Sequence, residues 1–260
     1  MNMHEKLHLI KRNTVEIMTE ELKSLLENKK NISAYYGAAP TGPVHLGYFI
    51  QLSIYATIKR ATRAASEVTR MKNPKVSELI YPIIQALDEE YLKVDIQIRG
   101  IDQRHIMAFA REYLPKLGYR KRVEIMTPLV ASLQGPGTKM SASEPMSHIK
   151  VYDSEENIKT KIKKAYCPEG IIKDNPIIQI CQFIIFPIKK QMRIERDKKY
   201  GGDIEFRSFD ELTQAYSKKE VHPVDLKEAV SNQLIEIFKD VRMYFEKHRD
   251  ILEVLGGEYL

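Results

Sequence analysis

Three polar side chains share one helical face in the run 75–92. Tyr81, Gln85 and Asp88 fall at i, i+4 and i+7, which sets a phenol, an amide and a carboxylate side by side. With Ile84 and Leu92 nearby they suggest the wall of a polar pocket; a wet face with an incidental tyrosine fits the same spacing. A second group lies in Tyr35 to Phe49, which reads as strand, tight loop and helix start. If a helix opens near Val44, His45 and Gly47 occupy its first turn, where free backbone amides favour an anion. That arrangement could cradle a phosphate, or be an ordinary βα turn with a surface histidine. A third group is Lys139-Met140-Ser141-Ala142-Ser143, entered from Gln134-Gly135-Pro136-Gly137-Thr138. A lysine and two hydroxyls on a glycine-flanked flexible loop could close over a phosphate, or simply be a surface loop.

The elements that must position these groups follow the apolar pattern. Residues 3–29 carry a stripe at Leu7, Ile10, Val15, Ile17, Leu22, Leu25 and Leu26 and read as one helix. Residues 32–37 suit a buried strand, and 49–71 a helix with Lys59, Arg60, Arg63 and Arg70 on it. Residues 75–92 form a helix that Pro82 should kink. Val94 to Ile98 alternates like a strand and ends at Gly100. Asp102 and Gln103 come next, at the start of a helix over 102–117, where α/β sheets place ligand contacts. Arg122 to Met126 is a third strand. Beyond Asp153 the chain turns helical. Ser154 should cap a lysine-rich helix that has Glu155 and Glu156 in its first turn. Helices are expected over 175–188, 209–217 and 223–249, with Pro223 in the first turn of the last. Lys189, Lys190, Arg193, Arg196, Lys198 and Lys199 form a basic run beside Tyr200, able to meet a nucleic acid or to be a solvated face.

Composition sets the bounds. At 260 residues, 43% of them hydrophobic, the chain suits one large domain or two modest ones with a true core. The net charge of +6 permits a polyanion partner without requiring one. No apolar stretch reaches the roughly 18 residues of a membrane span, and the first residues read as charged helix, not a secretory signal. Cys167 and Cys181 do not make a disulfide framework, so a reducing compartment is expected.

Taken together, these runs resemble the class I aminoacyl-tRNA synthetases, specifically the archaeal and eukaryotic kind of tyrosyl-tRNA synthetase. His45-Leu46-Gly47-Tyr48 looks like the first class signature, HIGH, and Lys139-Met140-Ser141-Ala142-Ser143 like the second, KMSKS. Tyr81 to Tyr91 followed by Gly100-Ile101-Asp102-Gln103-Arg104 points to tyrosine. Ala165-Tyr166-Cys167-Pro168 and His222 to Lys227 are similar to runs of that family's C-terminal domain. The resemblance implies a Rossmann-like parallel-sheet catalytic domain over 1–138, a mobile loop and linker over 139–153, and an α-helical anticodon-recognition domain over 154–260. It implies that tyrosine is activated with ATP and Mg2+ and transferred to tRNA in the cytoplasm by a homodimer. Tyr35 and Asp88 would hold the substrate phenol, and Tyr81, Gln85 and Gln103 its ammonium group. Asp102 would reach the ribose. Gly37, His45 and Gly47 would line the ATP site, and Lys139, Ser141 and Ser143 would clasp the triphosphate. Arg104 and Lys227 would meet the acceptor end or phosphates of tRNA, and Tyr200 and Asp225 its anticodon. No protein-held metal is expected.

The sequence departs from the family pattern in three places. Ala142 replaces a lysine. Arg99 stands where a small residue near the ribose is expected, which would tighten the nucleotide pocket. Gln51-Leu52-Ser53 runs directly into Ile54-Tyr55-Ala56-Thr57, where the family has a second parallel strand and much of a connective insertion. Only three convincing strands remain, few for a doubly wound sheet. Two rival readings follow: an inactive tRNA-binding or interaction protein of synthetase ancestry, and a tryptophan enzyme of the same class, against which the Tyr35 and Asp88 pair argues.

Overall fold

In a computed structural model of the chain, residues 3–29, 31–36, 46, 76–140 and 144–250 are described. Contacts divide it into two compact units, Met1–Thr41 with Ile50–Leu129 and Gly42–Phe49 with Val130–Leu260. The expected helix over 49–71 and the short join at 50–56 lie outside the described residues.

The first unit is an α/β layer. It runs α1 (Met3–Lys11), β1 (Glu16–Ile17), α2 (Thr19–Asn28), β2 (Ala34–Tyr36), α3 (Val76–Tyr91), β3 (Ile96–Gly100), α4 (Arg104–Tyr113) and β4 (Val123–Thr127). The sheet order is β1-β4-β3-β2; β2, β3 and β4 are parallel, and β1 pairs antiparallel with β4. The expected single helix over 3–29 is therefore two helices with an edge strand between them. The Thr14 hydroxyl donates to the Lys11 carbonyl and ends α1, and the Val15 amide donates to Met126, drawing 15–17 onto the sheet. This fourth described strand also corrects the count of three. Short 3-10 turns at Ile101–Gln103 and Leu114–Leu117 flank α4, where one helix over 102–117 was expected.

Alternation along the strands gives the sheet two unlike faces. Ala34, Ile96, Ile98, Val123 and Ile125 pack with Ile10 of α1 and Leu22 of α2 into an apolar core. The register sets Tyr35 beside Gln97 and Gln97 beside Glu124, so the opposite face is polar. Ala86 of α3 packs against Ile106 and Ala110 of α4 and Leu114 in a second cluster.

The second unit opens with a hairpin, β5 (Ala131–Ser132) and β6 (Gly135–Lys139). The stretch expected as a flexible loop over 134–138 is thus largely strand. Gly135 makes this possible: its φ is +111°, and a Cβ there would lie 2.9 Å from the ring of Tyr166. Next come α5 (Glu155–Lys164), α6 (Pro176–Ile180), a π turn at Cys181–Ile185, and α7 (Phe186–Lys189). A second hairpin, β7 (Met192–Ile194) and β8 (Ile204–Phe206), precedes α8 (Phe209–Ser217), α9 (Pro223–Ile237) and α10 (Lys239–Lys247). The Ser154 hydroxyl accepts from the Asn157 amide at 3.1 Å, with acids in the first turn of α5 and lysines in its last, as the sequence predicted. Pro223 opens α9, also as predicted, and Phe238 divides the expected 223–249 helix in two. Cys167 and Cys181 are buried and free.

Candidate functional site

The polar face of the first unit brings the sequence-predicted Tyr35 and Asp88 together at one buried phenol. Tyr35 is 1% exposed, and its hydroxyl donates to Asp88 Oδ2 at 3.0 Å across from β2 to α3. Arg99, on β3, donates from Nη2 to the Tyr35 oxygen at 3.0 Å. It lies 3.7 Å from the Asp88 carboxylate, with its guanidinium carbon 4.7 Å from the Tyr35 ring centroid. Arg99 thus turns toward the phenol and the carboxylate. Strand spacing gave its face but not its neighbours.

One helical turn before Asp88, Gln85 is also buried. Its Nε2 donates to Gln103 Oε1 at 3.4 Å, and its own Oε1 is enclosed without a hydrogen-bond partner. A buried amide oxygen of this kind is costly unless a donor meets it, and an ammonium group would. Asp102 and Gln103 sit in the 3-10 turn at the carboxyl end of β3, the end at which parallel sheets take ligands. Of Tyr81 the backbone alone is described, within α3. The Tyr35 phenol, the Asp88 carboxylate and the Gln85 and Gln103 amides are therefore on neighbouring elements of one unit.

Deeper on the same face lies a group that sequence reading missed. Glu124 of β4 is fully buried with neither carboxylate oxygen partnered; Glu89 of α3 and Gln97 of β3 are buried with one polar atom each unpartnered. Burial, reinforced by Glu89, pushes the Glu124 carboxyl up to about 9. Burial raises Glu89 to about 7, although Arg122 and Arg111 pull the other way. The signal was present as Gln97 and Glu124, each set between apolar residues in a strand. Asp95 behaves oppositely. Burial alone would raise it, but Lys29, Ser33 and Arg120 donate to its carboxylate and hold it at about 2.

In the second unit, Gly37's companions at the expected ATP site, His45 and Gly47, and the loop hydroxyls Ser141 and Ser143 lie outside the described residues, as does Gly37 itself. Of Lys139 only the backbone is described, at the end of β6. Leu46, between the histidine and the glycine, is fully buried, and its amide donates to the Ile149 carbonyl at 3.2 Å. This bond ties the first signature run to the segment just beyond the lysine loop.

Of the residues expected to meet tRNA, Arg104 belongs to the first unit and Tyr200, Asp225 and Lys227 to the second. Arg104 is exposed and pairs with Glu16 at 2.6 Å. Tyr200 is 65% exposed, with the Lys199 ammonium 4.8 Å from its ring centroid. Asp225 stands in the first turn of α9. Lys227, one turn in, donates to the Lys163 carbonyl at the end of α5. Much of the basic run is paired within the chain: Lys189 with Glu236, Arg193 with Asp203, and Arg196 with the Gly202 and Glu220 carbonyls.

Known proteins resemble this chain closely. The family model for tRNA synthetases of class I (W and Y) matches residues 52–239. A tyrosine–tRNA ligase of Archaeoglobus fulgidus is 35% identical over 319 aligned positions, covering 93% of this chain and 98% of that one. The crystal structure of a tyrosyl-tRNA synthetase with L-tyrosine from the same organism superposes with a TM-score of 0.84 at 32% identity, covering 93% of this chain and 99% of that one. One from Aeropyrum pernix superposes at 0.85 with 28% identity, covering 99% of this chain and all of that one. The 319 aligned positions exceed the 260 residues here, so the relative carries stretches without a counterpart in this chain.

Proposed function

The chain belongs to the class I tRNA synthetases of the tryptophan and tyrosine group, and from that premise we propose that it activates tyrosine with ATP and transfers it to tRNA. The observation that carries the tyrosine assignment is the buried hydrogen bond between the Tyr35 hydroxyl and Asp88. A hydroxyl that donates and a carboxylate that accepts are the pair a phenol satisfies from both sides.

In this reading the substrate ring lies along α3 with its hydroxyl between Tyr35 and Asp88. The ammonium group meets Gln85 Oε1, Gln103 and Tyr81. That direction leads the carboxylate toward the end of β3, where Asp102 takes the ribose of ATP. The carboxylate oxygen bonds the α-phosphorus, the bond to the bridging oxygen breaks, and pyrophosphate leaves. A transition state of this kind needs positioning and charge stabilisation more than a covalent catalyst. His45, Gly47 and Gly37 line the nucleotide, and Lys139, Ser141 and Ser143 hold the departing phosphates. A ribose hydroxyl at the tRNA end then attacks the tyrosyl carbonyl and releases AMP. Arg104 and Lys227 serve the acceptor end or phosphates of the tRNA, and Tyr200 and Asp225 the anticodon. Among the described residues no group of three or more His, Cys, Asp or Glu gathers to hold a metal. Magnesium would arrive with the ATP, where it offsets phosphate charge.

Tyrosine-dependent exchange of pyrophosphate into ATP tests the reading. Asp88→Ala removes the acceptor of a charge-assisted hydrogen bond and should raise the tyrosine KM about 10- to 100-fold. The ATP KM should stay within about threefold. An unchanged tyrosine KM would refute the assignment.

A further inference from the structure

Resting on the assignment of Tyr35 and Asp88 to the tip of the tyrosine pocket, we infer that Arg99 is a positioning residue for the substrate hydroxyl. It fixes Tyr35 as the donor and Asp88 as the acceptor at that tip, and so adds to the preference for tyrosine over phenylalanine. A guanidinium can only donate, whereas a phenol can donate or accept. Arg99 Nη2 gives a hydrogen to the Tyr35 oxygen at 3.0 Å, so the single Tyr35 proton points away from it. That proton goes to Asp88 Oδ2, also at 3.0 Å. The Tyr35 hydroxyl is thereby held in one direction. A carboxylate has about four lone-pair sites, so Asp88 takes the Tyr35 proton and still has room for a second hydroxyl.

A tyrosine hydroxyl entering this tip meets one donor and one acceptor. It gives its proton to Asp88 and presents its oxygen to the Tyr35 proton. The hydrogen bond accepted from a cation also polarises the Tyr35 hydroxyl and strengthens what it donates. Phenylalanine brings neither proton nor oxygen and gains nothing from either effect. The side chains are layered: Asp88 keeps 22% of its side chain exposed and Arg99 3%, so the carboxylate is the accessible member and the arginine stands behind it. Burial on the inner strand β3 and a seat over the Tyr35 ring hold the guanidinium there. Its 3.7 Å separation from Asp88 is too long for a hydrogen bond, so its directed contact at the tip is with Tyr35. The family pattern has a small residue at this position, so Arg99 adds to the expected tyrosine contacts instead of repeating one.

The test is pyrophosphate exchange with the whole chain, read as KM and kcat for tyrosine and as the inhibition constant of phenylalanine against it. Arg99→Met removes the donor, and should raise the tyrosine KM about tenfold with kcat within about threefold. The phenylalanine constant should stay within about threefold, since that ring gives the tip nothing to grip. Arg99→Lys restores a cationic donor and should return the tyrosine KM to within about threefold of the unmodified protein. In a Tyr35→Phe background Arg99→Met should raise the tyrosine KM by no more than about threefold, because the group it acts through is gone. Should Arg99→Met not fold, Arg99→Gln, which loses both charge and reach, takes its place under the same outcomes. An unchanged tyrosine KM in Arg99→Met, an equal rise in the Tyr35→Phe background, or a phenylalanine constant that rises in step would each overturn the inference. If Asp88→Ala raises the tyrosine KM while Arg99→Met does not, the pocket assignment stands and only the role of Arg99 falls. If neither variant moves it, the pocket assignment itself fails.

Discussion

Glu124→Gln should make the first unit more stable at alkaline pH and flatten its pH dependence. Glu124 sits in β4 with no exposed surface and both oxygens unpartnered, and it titrates near 9 in the folded chain against 4.5 when unfolded. Between those values the unfolded chain has released a proton that the folded chain keeps. Stability therefore falls as pH rises, by about 1.4 kcal/mol per pH unit for each such group. From pH 5 to pH 8 Glu124 alone accounts for a loss on the order of 4 kcal/mol, a large share of the stability of a domain. Glu89 adds a similar slope that ends near pH 7. Glutamine keeps the shape and has no proton to lose. The variant should match the parent at pH 5, exceed it by about 4 kcal/mol at pH 8, and show no slope above pH 7. Urea denaturation followed by circular dichroism at each pH gives the numbers, and hydrogen exchange at the β3 and β4 amides assigns them to this unit. A parent whose midpoint holds steady or rises from pH 5 to pH 8 would refute the reasoning.

Two further outcomes concern the second unit. Gly135→Ala meets both a φ of +111° and the Tyr166 ring at 2.9 Å, and should cost about 2 kcal/mol or more in urea denaturation; a loss under about 0.5 kcal/mol would count against the tight hairpin. Lys161→Met strips a buried cation from Asp153, 2.6 Å away, and should cost about 3 kcal/mol in thermal unfolding. The double variant with Asp153→Asn should recover part of that loss, since no buried charge is then left alone.

The sequence disclosed those parts of the fold and site that repeat or punctuate. Helical spacing brought Gln85 and Asp88 to one face, and the structure joins them to Gln103 and Tyr35. Ser154 and Pro223 marked helix starts through the local chemistry of backbone amides. Three things stayed hidden for physical reasons. Glu16–Ile17 is too short to show a period, and only pairing with Met126 and Ile125 makes it a strand. Gly135 looked like a breaker, although its conformational freedom is what lets the strand pass under Tyr166. Arg99 carried a visible face but no visible partner, because a long side chain on a strand can reach several neighbours.

The arrangement of the sheet also limits how the short join at 50–56 could be lengthened. The two residues of β1 already occupy the outer side of β4, and β3 is enclosed between β4 and β2. Among the described residues β2 is the parallel strand at the edge of the sheet, so a parallel strand grafted in after Gln51 and docked there would lie next to Tyr35. An insertion made to rebuild the sheet would therefore also build a wall for the amino acid pocket, and its success could be judged by substrate choice as readily as by folding.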